Sequence, residues 1–371
     1  MYLRNALILS GNNNWPPVID LIGGFSIFVK RLIMEHLIQL EKLYSVWKNT
    51  SSIRIQPLSN SSASSRLYFR LFDKEETYIG VYNGDIKENR AFFHFSKVFQ
   101  QAESHVPEIY LVSDSELYYL IEDLGDLNLL DILKKEGETE NVKQLYKKAI
   151  DQLFGMQLYG NKHINFELFS YPRAEFDSQS VLWDLNYFKY YFLKVSGLPF
   201  DEQLLENDFQ YLAKTLGKQK CIGFMYRDFQ ARNIQVLNND VWLIDYQGGR
   251  KGPMLYDLVS ILYQASAQLS DSFREELKTY YKVKLDKKFT IGSETFEQDF
   301  ISMVFIRIIQ TLGAYGFRGI IEKKAYFIES IPLALVNLDK VIKNQYLSLD
   351  IPYFIQILSK LFQLKSKFVI K

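Results

Sequence analysis

The chain has 371 residues and nearly balanced charge, with 44 Lys plus Arg against 43 Asp plus Glu and a net charge of +1. That balance gives no basic footprint for nucleic acid or an anionic membrane, and both are excluded as main partners. The length allows two lobes or domains, and the 15% aromatic content marks a packed chain, not a disordered one. The single cysteine, Cys221, excludes an internal disulfide and a thiolate metal site, so a reducing, cytoplasmic setting is expected. His36, His94, His105 and His163 are scattered without the spacing of a metal site. No run reaches the roughly 18 uncharged apolar residues of a membrane-spanning helix. The nearest, residues 18–34, is interrupted by Asp20 and carries Lys30 and Arg31 after its apolar part, where a signal peptide would carry them before it.

In chain order, residues 1–33 stand apart, with the run Asn12-Asn13-Asn14-Trp15-Pro16-Pro17 and little periodicity. They read as a poorly ordered extension before a natural start at Met34, or as an extra N-terminal helix. Residues 35–47 carry Leu37, Leu40, Leu43, Tyr44 and Trp47 at helical spacing. Strands are expected at 52–57, 66–72, 77–82, 108–113 and 116–122. A polar turn of small residues lies at 59–65, and a helix with an aromatic face of Phe92, Phe95 and Phe99 at 88–101. From Asn128 onward the spacing predicts helices at 141–159, 183–195, 202–216, 271–281, 297–312 and 353–364, broken by a strand–loop–strand unit at 223–246.

The chemistry is concentrated in Met225-Tyr226-Arg227-Asp228-Phe229-Gln230-Ala231-Arg232-Asn233. In the kinase catalytic loop, H-R-D-L-x-x-x-N, the aspartate is the base and the asparagine a Mg²⁺ ligand. Arg227, Asp228 and Asn233 keep that register, with Tyr226 in place of the histidine. Phosphoryl transfer needs a carboxylate beside the attacking hydroxyl and a hard oxygen ligand a short loop away. Twelve residues past Asn233, the apolar strand Val241-Trp242-Leu243-Ile244 ends in Asp245, the expected second Mg²⁺ ligand. Between them, Asn238-Asn239-Asp240 reads as a hairpin turn. A β-rich lobe followed by a helical one is the kinase organisation. The expected fold is therefore α+β and bilobal, with an N-lobe at 34–124 that binds nucleotide and a C-lobe at 125–371 that holds base and acceptor.

The run Arg227 to Leu258, with Asp245-Tyr246-Gln247-Gly248-Gly249-Arg250, Gly252-Pro253 and Tyr256-Asp257-Leu258, resembles the aminoglycoside phosphotransferase-like family. Within that family the resemblance is to sugar kinases acting on N-acetylmuramate and N-acetylglucosamine at the anomeric hydroxyl. By order of elements it extends over about residues 35–368. The resemblance implies ATP and Mg²⁺ as cofactors, Asp228 as base, and Asn233 and Asp245 on the metal. The strand lysine of protein kinases is missing from Tyr78-Ile79-Gly80-Val81-Tyr82-Asn83. Ser62 and Ser64 in the small-residue turn, with Arg66 and Arg70 beside it, are the candidates to hold phosphate instead. Glu88 is a candidate partner for either arginine. Glu122 and Leu124 fall at the expected hinge, where adenine would meet backbone. Gln230 and Arg232 flank the base, and Asp184, in Trp183-Asp184-Leu185-Asn186-Tyr187-Phe188, joins them as acceptor contacts. Arg307 and Gln310, polar groups at i and i+3 on an apolar helix, read as substrate contacts or, as is commoner for such residues, as packing.

A protein kinase is disfavoured, because only 12 residues and a Gly-Pro separate Asp245 from Asp257, which leaves no activation loop. An aminoglycoside or choline-type kinase of the same fold, or a nucleotide-binding module without turnover, stays open. The expected partner is a small-molecule substrate, and a monomer is expected.

Overall fold

The computed structural model describes residues 23–50, 53–58, 66–217 and 219–368. The chain divides into two compact units. One holds the residues up to Ser96 together with Pro107–Gly125; the other holds Lys97–Val106 and the residues from Asp126 onward.

The first unit is an antiparallel sheet with strand order β1-β2-β3-β5-β4. Its strands are β1 (Arg54–Pro57), β2 (Leu67–Asp73), β3 (Glu76–Tyr82), β4 (Ile109–Val112) and β5 (Tyr118–Glu122). Two helices accompany them, α1 (Gly23–Lys48) and α2 (Ile86–Gln101), the latter ending in the second unit. Ile33, Leu40 and Tyr44 of α1 bury against Phe69, Leu71, Tyr78 and Leu120 of the sheet. Gly80 on β3 permits that approach, since a Cβ there would lie 2.9 Å from the side chains of Leu40 and Leu71. The helix expected from residue 35 begins at Gly23. Residues 23–33, left open in sequence between a poorly ordered extension and an N-terminal helix, are helical. Ile33 adds a turn to the stripe of Leu37, Leu40 and Tyr44, and Lys30 and Arg31 hide that continuity from an apolar pattern.

The second unit is mainly helical. Its helices are α3 (Leu129–Glu136), α4 (Glu140–His163), α5 (Phe166–Phe169), α6 (Ser178–Phe188), α7 (Glu202–Leu216), α8 (Met254–Leu262), α9 (Asp271–Asp286), α10 (Ser293–Tyr315), α11 (Ala325–Ile342) and α12 (Pro352–Gln363). Two small antiparallel sheets are set among them. One pairs β6 (Ile222–Met225) with β9 (Arg250–Pro253), the other β7 (Ile234–Leu237) with β8 (Asp240–Leu243). Asn238 and Asn239 at the β7–β8 turn have φ of 53° and 59°. Positive φ at both turn positions matches the twist of the strands, and asparagine tolerates it. Of the described residues, one helix, Ser293–Ile321, is long and apolar enough to cross a membrane, and it is mostly buried. This helix carries Arg307 midway.

Candidate active site

The reactive loop leaves β6 and enters β7 through a 3₁₀ turn at Ala231–Asn233. Its backbone is fixed from below. Asp257 of α8, fully buried, accepts from the amides of Tyr226 at 2.8 Å and Arg227 at 2.9 Å. Gln157 of α4 donates to Asp257 at 3.2 Å and to the Met254 carbonyl at 2.8 Å, and accepts from the Tyr281 hydroxyl at 2.6 Å. Burial pushes the Asp257 carboxyl up to about 7, against the pull of the two amides and Gln157. Gln264 accepts from the Ala231 amide at 2.8 Å. Tyr226, fully buried, donates its hydroxyl to the carbonyl of Ile244 and so ties the loop to the residue before Asp245.

Arg227 holds a left-handed backbone, φ 82°. That conformation costs about 1–3 kcal/mol in a non-glycine residue unless its surroundings enforce it. Here Asp257 grips the amide and Asp184 grips the side chain, accepting from Nη1 at 3.0 Å and Nη2 at 2.6 Å. The Asp184 carboxylate is therefore buried and paired with Arg227 of the reactive loop. A buried carboxylate is stabilised by such an internal cation.

Asp228 follows with its side chain 47% exposed. Burial of its surroundings would raise its pKa, but Arg307, Arg227 and Arg232 outweigh this and hold the carboxyl below the ordinary range. Arg307 Nη2 lies 3.4 Å from Oδ1, and Gln230 Nε2 lies 3.5 Å from the same oxygen. Asn233, nearly buried, donates from one amide nitrogen to the Asp228 carbonyl at 2.9 Å and to Asp245 Oδ2 at 3.3 Å. Gln247 donates to Asp245 Oδ1 at 2.6 Å. Asn233 and Asp245 thus bring an amide and a carboxylate side chain into contact, and both carry hard oxygen donors of the kind that suits Mg²⁺, which takes its other ligands from water and phosphate. The sequence-predicted Asp228, Asn233 and Asp245 are thus brought together, with Gln230 and Arg232 on the same loop.

In the first unit, Arg66 is 2% exposed and pairs with Glu88 of α2 at 3.2 Å. Asn83 donates to the same Glu88 carboxylate at 2.9 Å. Arg70 pairs with Asp123 at 2.6 Å, and Asp123 also accepts from the Gly125 amide at 3.0 Å. Glu122 is half-buried, and burial raises its pKa. Leu124 is buried. Ser62 and Ser64 lie outside the described residues.

Sequence reasoning missed Gln157 and Gln264 and passed over Arg307. The one available signal was an arginine inside the apolar run Met303-Val304-Phe305-Ile306-Arg307-Ile308-Ile309.

A model of the phosphotransferase enzyme family matches residues 54–290. The N-acetylmuramate/N-acetylglucosamine kinase of Neisseria meningitidis is 29% identical over 183 residues, 48% of this chain and 52% of that protein. The chain spans between 52% and 62% of the length of the curated relatives it matches. Among solved structures, amicoumacin kinase hAmiN in complex with AMP-PNP, Ca²⁺ and Ami matches with a TM-score of 0.57 at 12% identity, over 81% of this chain and 91% of that one. Choline kinase LicA from Streptococcus pneumoniae matches with a TM-score of 0.54 at 14% identity, over 83% of this chain and 99% of that one. The protein-kinase-like α+β fold expected from the order of elements is thereby shown.

Proposed function

Because the chain belongs to the phosphotransferase enzyme family, we propose that it is an ATP-dependent kinase whose acceptor is a free amino sugar, N-acetylmuramate or N-acetylglucosamine, phosphorylated at the anomeric hydroxyl. The observation that carries the reading is the joining of Asp228, Asn233 and Asp245 through one asparagine amide. Asp228 orients the acceptor hydroxyl and takes its proton as that oxygen bonds to the γ-phosphorus. The bond from γ-phosphorus to the β–γ bridging oxygen breaks, and ADP leaves with the electron pair. Asn233 and Asp245 hold Mg²⁺, which neutralises phosphate charge when bound. The neighbouring arginines keep Asp228 ionised, which suits orienting the acceptor hydroxyl more than strong basicity would, the proton passing to it as the new phosphorus–oxygen bond forms.

The nucleotide falls to the first unit, through Ser62, Ser64, Arg66, Arg70, Glu122 and Leu124. Arg66, held by Glu88, takes the part of the missing lysine as the cation for the phosphates. Gln230 and Arg232 contact the acceptor, and Arg232 suits a carboxylate there. The amino-sugar assignment draws on the name of the relatives and on the loop Arg227-Asp228-Phe229-Gln230-Ala231-Arg232-Asn233. A cytoplasmic monomer completes the reading. The test incubates purified protein with MgATP and a panel of amino sugars, aminoglycosides, choline and homoserine, with products identified by mass. A phosphorylated amino sugar supports the assignment. Phosphorylation of choline or an aminoglycoside alone moves the acceptor elsewhere, and no product from any acceptor removes the activity.

A further inference from the structure

Arg307 sits midway along α10, 5% exposed, among Phe305, Ile306, Ile308 and Ile309, all buried and apolar. An ionised guanidinium in such a place is costly unless its donors are used. Its two terminal nitrogens are divided. Nη1 donates to the Gln310 side chain and lies 3.4 Å from the Tyr256 hydroxyl, while Nη2 reaches Asp228 Oδ1 at 3.4 Å. The guanidinium stands 5.5 Å from the centroid of the Tyr256 ring, which braces its plane. Tyr256 precedes Asp257, the residue that fixes the loop amides. One helix, α8, thus holds both the backbone of the reactive loop and the arginine that meets its side chain.

The contacts on Asp228 are one-sided. Arg307 and Gln230 both address Oδ1. Among the hydrogen bonds of the described residues, none is made by Oδ2. A buried arginine with a purely structural part would be satisfied by buried acceptors, yet this one extends to a carboxylate that is 47% exposed. A carboxylate gripped on one oxygen cannot rotate freely, so its other oxygen keeps one direction.

We propose that Arg307 is a positioning residue for phosphoryl transfer, fixing Asp228 by Oδ1 so that Oδ2 faces the acceptor hydroxyl. The inference rests on the reading of Asp228 as the base. It adds an arginine from α10, distant in sequence from the loop, that acts through the base and not on substrate. Misplacing a catalytic group by about 1 Å can cost on the order of 10²-fold in rate, so the effect belongs in kcat and not in ATP binding.

The test measures kcat and KM for MgATP and N-acetylglucosamine in wild type, Arg307→Met, Arg307→Lys, Asp228→Asn and the double variant Asp228→Asn/Arg307→Met, with melting temperature recorded for each. Arg307→Met is expected to lower kcat by about 10–10²-fold with KM for ATP unchanged. Added guanidinium ion should restore part of that loss. The double variant should be no slower than Asp228→Asn alone, because a positioning residue has nothing to position once the base is gone. If Arg307→Met does not fold, Arg307→Lys carries the test: a lower kcat in a folded variant supports the inference, and wild-type kcat overturns it. A folded Arg307→Met with wild-type kcat, or a double variant that loses the product of both single effects, also overturns it. Those outcomes leave the base intact if Asp228→Asn is inactive. Wild-type protein without transfer to any acceptor removes both.

Discussion

Asp228, Asn233 and Asp245 each carry a separable expectation. Asp228→Asn keeps the shape of the side chain and removes its basicity, so kcat should fall by about 10²–10⁴-fold with little change in ATP affinity, read from ADP release under saturating substrates. Near-normal turnover would exclude the base. Asp245→Ala should abolish the Mg²⁺ dependence of nucleotide binding, measured by titration with and without the metal. Tyr226→Phe is a structural probe. It leaves the Ile244 carbonyl without its hydroxyl donor, which should cost about 1–3 kcal/mol in a denaturant melt. At this scale, the sequence revealed what is local. The proposed base and metal residues fall within one short stretch, where register alone picks them out. The residues that hold them are far away in the chain. Asp184 reaches Arg227 across 43 positions and Arg307 reaches Asp228 across 79, and no periodicity within either helix announces a partner so distant.

Elements were legible where they are amphipathic or carry a turn signal. The β7–β8 hairpin follows from its two asparagines, and α7 has the expected bounds because one face is wet. Helix α8 escaped notice because all of its residues, Met254 to Leu262, are buried and no polar face marks a period. The helix expected at 183–195 is divided, with α6 passing into a π-helical turn at Lys189–Leu193. A second π-helical turn, Gly316–Ile321, follows α10. At Gly316 a Cβ would stand 2.0 Å from the carbonyl oxygen of Tyr191. Gly316→Ala must therefore force the backbones apart, at a cost of about 1–3 kcal/mol or more in unfolding free energy. Asp184→Ala removes the partner of the nearly buried Arg227 and should cost about 3–5 kcal/mol. Equal stability of Asp184→Ala and wild type in urea would show that the ion pair does not hold the loop.

For the whole molecule, the succession of strands and helices was enough to state a bilobal α+β kinase fold, because that order follows from hydrophobic periods along the chain. The net charge of +1 was not informative about the site. It averages over a surface and conceals the local gathering of Arg227, Arg232 and Arg307 around one aspartate. The acceptor is the least legible feature, since one fold serves many hydroxyls and specificity lies in a few side chains. MgADP should stabilise the protein as a ligand of the native state, by about 2.7 kcal/mol at a hundred times its Kd, and Asp245→Ala should lose that gain. The most direct test of phosphoryl transfer is phosphorus NMR of wild type and Asp228→Asn, each incubated with MgATP and N-acetylglucosamine or N-acetylmuramate. Wild type is expected to build a phosphomonoester signal coupled to the anomeric proton as ADP accumulates, with no such signal from Asp228→Asn; an unchanged ATP spectrum with wild type, or equal product from both proteins, would contradict it.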